Sequence, residues 1–206
     1  MSQAQRTIKF AAAILAGGKA TRLDGLVKGN VKLKNGITII QRLINELEKA
    51  GANEIIIVAN DDIPYLSYGI DVVQDLQKGL GPIAGIETAL TCYGNRFDAT
   101  LFLPSDLPAI TALEIEQLKK FYLRNCAKII YAKTKIAHPL CAIVDNSLVN
   151  EISELIKSGE RKISKIWGKL AAAVVGFKNE QPFANINTWE EMKPYVKFRI
   201  STGDSR

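Results

Sequence analysis

The sequence predicts an α/β protein: a three-layer sandwich with a mostly parallel central sheet covered by helices on both faces. Three observations point to it. Short runs that are apolar at almost every position alternate with segments of helical spacing, the pattern of parallel strands buried on both faces. The connections are short, with no Pro/Ser-rich linker and no internal repeat to divide the chain. The chain has 206 residues, 47% of them hydrophobic, enough for one sizeable core in a single domain spanning residues 1–206.

The elements follow in order. Residues 8–15 form an apolar first strand that ends at Gly17-Gly18. Residues 38–50 place Ile40, Leu43, Ile44 and Leu47 on one face of a helix, and Gly51 supplies the stop. Residues 54–59, with three isoleucines and a valine, make the second strand, and residues 71–74 a brief third. A helix over 82–93 leads to a strand over 99–103 that Pro104 closes. A helix opening at Thr111, a strand over 128–132, a helix over 147–158, a strand over 171–177 and a helix opening at Thr188 complete the set. Thr38 with Gln41, Thr111 with Glu114, and Thr188 with Glu191 have the three-residue spacing of a capping box. The polar ends, 1–7 and 197–206, are expected to be mobile.

A net charge of +6 favours anionic partners: nucleotides, phosphorylated metabolites or nucleic acid. The cations are scattered singly, as on a solvated surface, and no nucleic-acid motif accompanies them, so no nucleic-acid partner is expected. The longest apolar run, 10–16, is too short to span a membrane, and no signal peptide opens the chain. A cytoplasmic protein without a membrane partner is expected. Cys92, Cys126 and Cys141 lie far apart with no C-x-x-C pair, which argues against a disulfide framework or zinc site and for buried free thiols.

In such sheets ligands bind beyond the carboxyl ends of the strands. There the sequence places Leu15-Ala16-Gly17-Gly18-Lys19-Ala20-Thr21-Arg22. Two glycines allow a tight turn and close backbone approach, so that successive N–H groups can surround phosphate oxygens. Lys19, Arg22 and Lys28 add positive charge. The segment is neither G-x-G-x-x-G nor a Walker A sequence. Asn60, at the end of the second strand, carries an amide able to read a base edge, or serves as a plain strand-end residue. Asp75 follows the third strand and precedes Gly79-Leu80-Gly81-Pro82-Ile83-Ala84-Gly85, where Pro82 suits a first helical turn and small residues admit a base or ribose. Asp106, in Ser105-Asp106-Leu107-Pro108, is a carboxylate at a central strand end, placed to hold Mg²⁺ or to cap a turn.

Leu-Ala-Gly-Gly-x-x-x-Arg, followed about six residues later by a lysine, resembles the signature of nucleotidyltransferases, and among them the chain is similar to the molybdenum cofactor guanylyltransferase family. The resemblance continues in order through Ala59-Asn60, Gly81 to Gly85 (Ile83 for Leu), Ser105-Asp106-Leu107-Pro108 (Ser105 for Cys) and His138-Pro139-Leu140. It ends with Gly159-Glu160-Arg161-Lys162 and Phe183-Ala184-Asn185-Ile186-Asn187-Thr188, and so covers about residues 14 to 192. Val27 replaces the aspartate that usually precedes the lysine. An extra residue before Asn35-Gly36 makes Lys32 an alternative to Lys28, which matches by position.

The resemblance implies a Rossmann-like fold and Mg²⁺-dependent transfer of GMP from GTP to molybdenum-molybdopterin, with pyrophosphate released. Arg22, Lys28 and Asp106 would be catalytic, with Asp106 the metal ligand. Leu15, Ala16, Gly17, Gly18, Lys28 and Asp106 would hold the triphosphate, and Asn60, Asp75, Gly81, Pro82 and Gly85 the guanosine. The C-terminal part would bind the acceptor through His138, Asn185 and Asn187. His138 is the only histidine; packing or a pterin contact suits it better than general-base work, because attack by a phosphate needs no histidine. GTP and molybdopterin would be the small-molecule partners, and molybdoenzymes or their chaperones the protein ones. The alternatives are a related cytidylyl- or sugar-phosphate nucleotidyltransferase, or a non-catalytic nucleotide-binding paralogue.

Overall fold

The computed structural model describes residues 8–17, 22–23, 25–77 and 79–197, with the side chains of Arg22 and Leu23 left out. Of the ends expected to be mobile, only Lys197 falls within this range. The chain runs β1 (Phe10–Leu15), β2 (Arg22–Leu23), β3 (Leu26–Val27), α1 (Ile39–Lys49), β4 (Glu54–Val58), β5 (Asp71–Val73), α2 (Pro82–Tyr93) and β6 (Ala99–Pro104). It continues through α3 (Ala112–Arg124), β7 (Ile129–Lys133), β8 (Ala137–Asp145), α4 (Val149–Lys157), α5 (Ile163–Lys169), β9 (Ala173–Gly176) and α6 (Trp189–Met192).

One seven-stranded sheet, in the order β5-β4-β1-β6-β8-β7-β9, forms the middle layer, and β2 and β3 pair in a small separate hairpin. β1 lies between two parallel neighbours, with Ala13 opposite Ile56 of β4 on one side and Phe102 of β6 on the other. Only β8 runs against the rest. The sheet is thus the mostly parallel one expected.

All six residues of β1 are buried. Phe10, Ala12 and Ile14 pack on one face with Ile40 and Leu43 of α1 and Ile115 and Leu118 of α3. Ala11, Ala13 and Leu15 pack on the other with Ile83 and Leu90 of α2, Ile152 of α4 and Ile166 of α5. Each such buried Leu or Ile contributes about 1.5–3 kcal/mol. The run of alanines keeps the middle of β1 thin, so helices on both sides approach closely.

Four elements depart from the sequence expectation: the two-residue strands β2 and β3, too short to leave a pattern, and β8 and α5. β8 was not foreseen, because His138 and Pro139 interrupt its apolar run and proline ordinarily argues against a strand interior. Here the register shifts between Tyr131 and Ala132 as β7 pairs with β8, and the irregularity makes room for that stretch. α5 was also missed: it is seven residues long with three cations or glycines among its seven, although Ile163, Ile166 and Trp167 are buried. Two of the three capping boxes close reciprocally, at Thr111 and Thr188. At Thr38 the hydroxyl accepts from Gln41 N, but the Gln41 amide turns to Asn45 Oδ1, 3.0 Å away. The three cysteines are free; Cys141 is buried in β8, while Cys92, on the outer face of α2, and Cys126, in the connection after α3, are exposed. Among the described residues no helix is long and apolar enough to cross a membrane.

From β1 the chain crosses to β4 on one side, and after β5 it returns to β6 on the other side of β1. The order of strands therefore diverges between β1 and β6, and the carboxyl ends of β5, β4, β1 and β6 open onto one edge.

Candidate active site

A cavity of ≈ 870 Å³ lies on that edge. Leu15, Ala16 and Gly17 bring the end of β1 to it; Val58, Asn60 and Asp61 bring β4; Asp75 brings β5; Pro104, Ser105 and Asp106 bring β6. Gly79, Gly81, Pro82 and Gly85 line it from the start of α2, and Leu140 from β8. Val27, Pro64, Tyr65, Asn185 and Asn187 complete the wall.

On the β4–β5 side, Asn60 Nδ2 donates to Asp75 Oδ2 at 3.0 Å. The remaining oxygens, Asn60 Oδ1 and Asp75 Oδ1, are buried without a partner. Burial pushes the Asp75 carboxyl above its ordinary pKa, and the Asn60 amide offsets part of that rise. Leu76 N donates to Thr88 Oγ1 of α2 at 2.9 Å, which fastens the segment after Asp75. Gly85 keeps this corner open: a Cβ there would stand 3.1 Å from Leu15 Cδ2 and 3.4 Å from Asp75 Oδ1. Gly81, the N-cap of α2, has φ 75°, a conformation that favours glycine. Pro82 follows it in the first turn, so α2 presents its positive N-terminal end to the cavity.

On the β6 side, Asp106 Oδ1 is also buried without a partner. Burial raises the Asp106 pKa, and the nearby Lys28 ammonium pulls it back part of the way. Lys28 is 2% exposed, and its Nζ donates to Asn187 Oδ1 at 3.0 Å. Lys28 stands just behind the wall, joined to it by Asn187. Lys32, the alternative lysine, is exposed, and its backbone bridges to Thr38. The Asn185–Asn187 stretch is tied to the end of β6 by Ile186 N donating to Asp106 O at 3.1 Å. It is anchored below by Glu191 Oε2, which accepts from Asn187 N at 2.6 Å and Thr188 N at 3.0 Å.

The expected residues Leu15, Ala16, Gly17, Asn60, Asp75 and Asp106 therefore share one cavity with Gly81, Pro82, Gly85, Asn185 and Asn187. His138 stands apart from the lining: Nε2 lies 2.8 Å from Thr134 Oγ1, and the ring stacks on Phe183 at 5.1 Å. Gly18 lies outside the described residues. Arg22 contributes its backbone to β2, opposite Val27. Sequence reasoning had passed over Asp61, Pro64 and Tyr65, and had given Leu140 no role of its own within His138-Pro139-Leu140. Asp61 carried the same strand-end signal as Asn60, and Leu140 lies in β8. Pro64 and Tyr65 belong to a 3₁₀ turn, Ile63–Tyr68, without a chemical signature.

Among the described residues no three His, Cys, Asp or Glu side chains converge as a metal cage. Mg²⁺ does not need one: it takes one or two carboxylates and completes its shell with phosphate oxygens and water. The buried, unpartnered Oδ1 of Asp106, a residue that lines the cavity beside a buried cation, fits that role.

A mostly parallel sheet with Gly17, an amide and two carboxylates gathered at the carboxyl ends of its strands has the layout of a ligand-binding α/β protein. The MobA-like NTP transferase domain matches residues 12–174, and the chain belongs to that family of nucleotidyltransferases. It is 31% identical over 194 residues to a molybdenum cofactor guanylyltransferase of Haemophilus influenzae, covering 92% of this chain and 99% of the relative. With a protein of the same name from Shewanella putrefaciens it is 32% identical over 189 residues, 90% of this chain and 95% of the relative. The crystal structure of molybdopterin-guanine dinucleotide biosynthesis protein A from Archaeoglobus fulgidus superposes with a TM-score of 0.72 and 28% identity, covering 89% of this chain and 95% of that one.

Proposed function

We propose that this protein transfers GMP from GTP to molybdenum-loaded molybdopterin in a Mg²⁺-dependent reaction that releases pyrophosphate. It would do so in the cytoplasm, where molybdoenzymes or their chaperones would receive the product. The observation that carries the reading is the distribution of three buried, unpartnered oxygens on residues that line one cavity: Asp106 Oδ1 beside Lys28, and Asn60 Oδ1 with Asp75 Oδ1 beyond β1. The names of the relatives supply the acceptor.

The two bare acceptors on Asn60 and Asp75 suit a base whose edge carries adjacent N–H donors. Guanine has these at N1 and N2; cytosine offers only its N4 amino group beside two acceptors. The positive end of α2 favours the phosphates. A terminal phosphate oxygen of molybdopterin attacks the α-phosphorus of GTP, the bond from that phosphorus to the bridging oxygen breaks, and the electron pair leaves on pyrophosphate. The attacking oxygen is already ionised, so no side chain has to remove a proton. What the protein supplies is alignment and neutralisation of charge. Lys28, steadied by Asn187, offsets the charge growing on the leaving pyrophosphate. Asn185 and Asn187 hold the acceptor, with His138 supporting that wall through Phe183. Asp106 would hold the divalent cation, whose chemistry is to neutralise phosphate oxygens and leave phosphorus more open to attack.

Pyrophosphate release is the test, measured with GTP, Mg²⁺ and molybdenum-loaded molybdopterin, and with CTP in place of GTP. Release with GTP that disappears in Asp106→Ala is the expected result. Release with CTP alone would move the protein to cytidylyl transfer, and full turnover in Asp106→Ala would remove the metal role from that residue.

A further inference from the structure

Lys28 belongs to a one-turn 3₁₀ segment, Lys28–Asn30, and the cavity-lining residues Pro64 and Tyr65 to a second, Ile63–Tyr68. Asn30 joins the two with both ends of its amide. Its Nδ2 donates to Pro64 O at 2.8 Å, and its Oδ1 lies 2.8 Å from the Tyr68 hydroxyl. The same hydroxyl lies 2.8 Å from Thr38 Oγ1, the N-cap of α1. A Cβ at Gly29 would stand 2.6 Å from Ile40 Cγ1, so the segment carrying Lys28 is pressed against α1 without slack. The lysine stem is long and flexible, and a single bond to Asn187 holds only its far end. The near end is held through the backbone, and Asn30 is the side chain that fixes that backbone to the cavity wall.

We propose that Asn30, acting with Tyr68, is a positioning residue for nucleotidyl transfer. It locks the turn carrying Lys28 to the wall turn Ile63–Tyr68, and thereby sets where the Lys28 ammonium stands relative to Asp106 and the nucleotide phosphates. The inference rests on the reading of Lys28 as the cation that offsets phosphate charge. A displacement of about 1 Å in such a group costs on the order of 10²-fold in rate.

The test compares kcat and KM for GTP in the wild type, Asn30→Ala, Tyr68→Phe, Lys28→Ala and Asn30→Ala/Lys28→Ala, with thermal melts to show that each variant is folded. A second readout needs no turnover: acetylation of Lys28 by acetic anhydride, followed by peptide mass spectrometry. Asn30→Ala is expected to lower kcat by roughly 10- to 100-fold with little change in KM, and to expose Lys28 to acetylation. Tyr68→Phe acts in the same direction and more weakly. In the Lys28→Ala background, removing Asn30 adds nothing, because it acts through Lys28. Additive losses, or a Lys28 as shielded in Asn30→Ala as in the wild type, overturn the proposal. If Asn30→Ala fails to fold, Tyr68→Phe carries both readouts. Should Lys28 become reactive in Asn30→Ala while Lys28→Ala turns over normally, the clamp stands and the phosphate role of Lys28 falls.

Discussion

Asp75 and Asp106 make a natural experiment within one cavity. Each follows a parallel strand, each has an unpartnered Oδ1, and in each burial is the largest influence on the carboxyl and raises its pKa. They differ in what opposes that rise: a neutral amide, Asn60, for Asp75, and a cation, Lys28, for Asp106. A carboxylate braced by an amide is an acceptor for neutral donors, such as the edge of a base. One braced by an ammonium group belongs where charge must be gathered, among phosphates and a divalent ion. The same residue type thus serves two tasks, and the neighbour decides which.

The strongest way to break this comparison is to remove the cation. Lys28→Ala is expected to reduce kcat on the order of 10²–10³-fold, as losing a preorganised charge stabiliser does. Lys32→Ala should stay close to the wild type, since that side chain is exposed. Steady-state pyrophosphate release measures both, and a crippled Lys32→Ala beside an active Lys28→Ala would reverse the assignment.

The base end should fail differently. Asp75→Asn preserves an acceptor for Asn60 but can turn a donor toward the bare position, where an incoming N–H would meet it. A buried donor left unsatisfied costs about 1–3 kcal/mol, which corresponds to roughly a 5- to 150-fold rise in KM for GTP. The turnover number should move far less. A fall in kcat with unchanged KM would place Asp75 with the reacting groups rather than with the base.

How much of this was readable beforehand depends on the region. The parallel half announced itself: residues 8–15 and 54–59 are apolar but for Lys9 and Glu54, and Asn60 and Asp106 each follow an apolar run, with Asp75 after the brief strand over 71–74, where ligand groups belong. The family resemblance picked those three out from other strand-end polar residues. The antiparallel half was harder. β8 carries His138 and Pro139 into the sheet, and only pairing with β6 and β7 makes that run a strand. The burial of Lys28 was also hidden, because a lysine at a loop reads as solvated until Asn187, 159 residues away, comes to meet it. The link from Asn30 to Pro64 and Tyr68 is long-range in the same way, and local patterning does not report it. The cysteines misled for the opposite reason: residue type favours burial, but Cys92 lies on the outer face of α2, next to the buried Tyr93, and Cys126 lies in the connection after α3.

The two carboxylates also bear on the stability of the nucleotide-free protein. The Asp106 pKa is raised above its unfolded value, so the fold favours the protonated form. Below the unfolded carboxylate range both states hold the proton, and nothing is lost. As pH rises through that range toward the folded pKa, the unfolded chain releases its proton first and stability falls; above the folded pKa the full cost is present. Asp106→Asn should therefore raise Tm at pH 7 and lose that advantage in acid. Each kcal/mol of relief is worth about 2–4 °C in a chain of this size. Asp75→Asn should show a smaller gain, its carboxyl being less deeply buried. Melting curves from pH 3 to 8 without nucleotide test the point, and a lower Tm for Asp106→Asn at neutral pH would refute it.

The smallest expected effect concerns His138, which stands apart from the cavity lining. Burial holds its pKa below the ordinary value of 6.5, and Glu180 opposes part of that shift. The unfolded chain therefore takes a proton as pH falls through about 6.5, while the folded ring, stacked on Phe183, resists until lower pH. Stability from this site is complete above the unfolded pKa and declines on acidification toward the folded one. His138→Gln keeps a polar contact to Thr134 and removes the titration, so its melting temperature should vary less between pH 7 and 5 than that of the wild type. Kinetics in the same variant sharpen the contrast between the two ends of the cavity. An unchanged KM for molybdopterin makes His138 a support for Phe183 and the Asn185–Asn187 stretch, whereas a raised one brings it into contact with the acceptor.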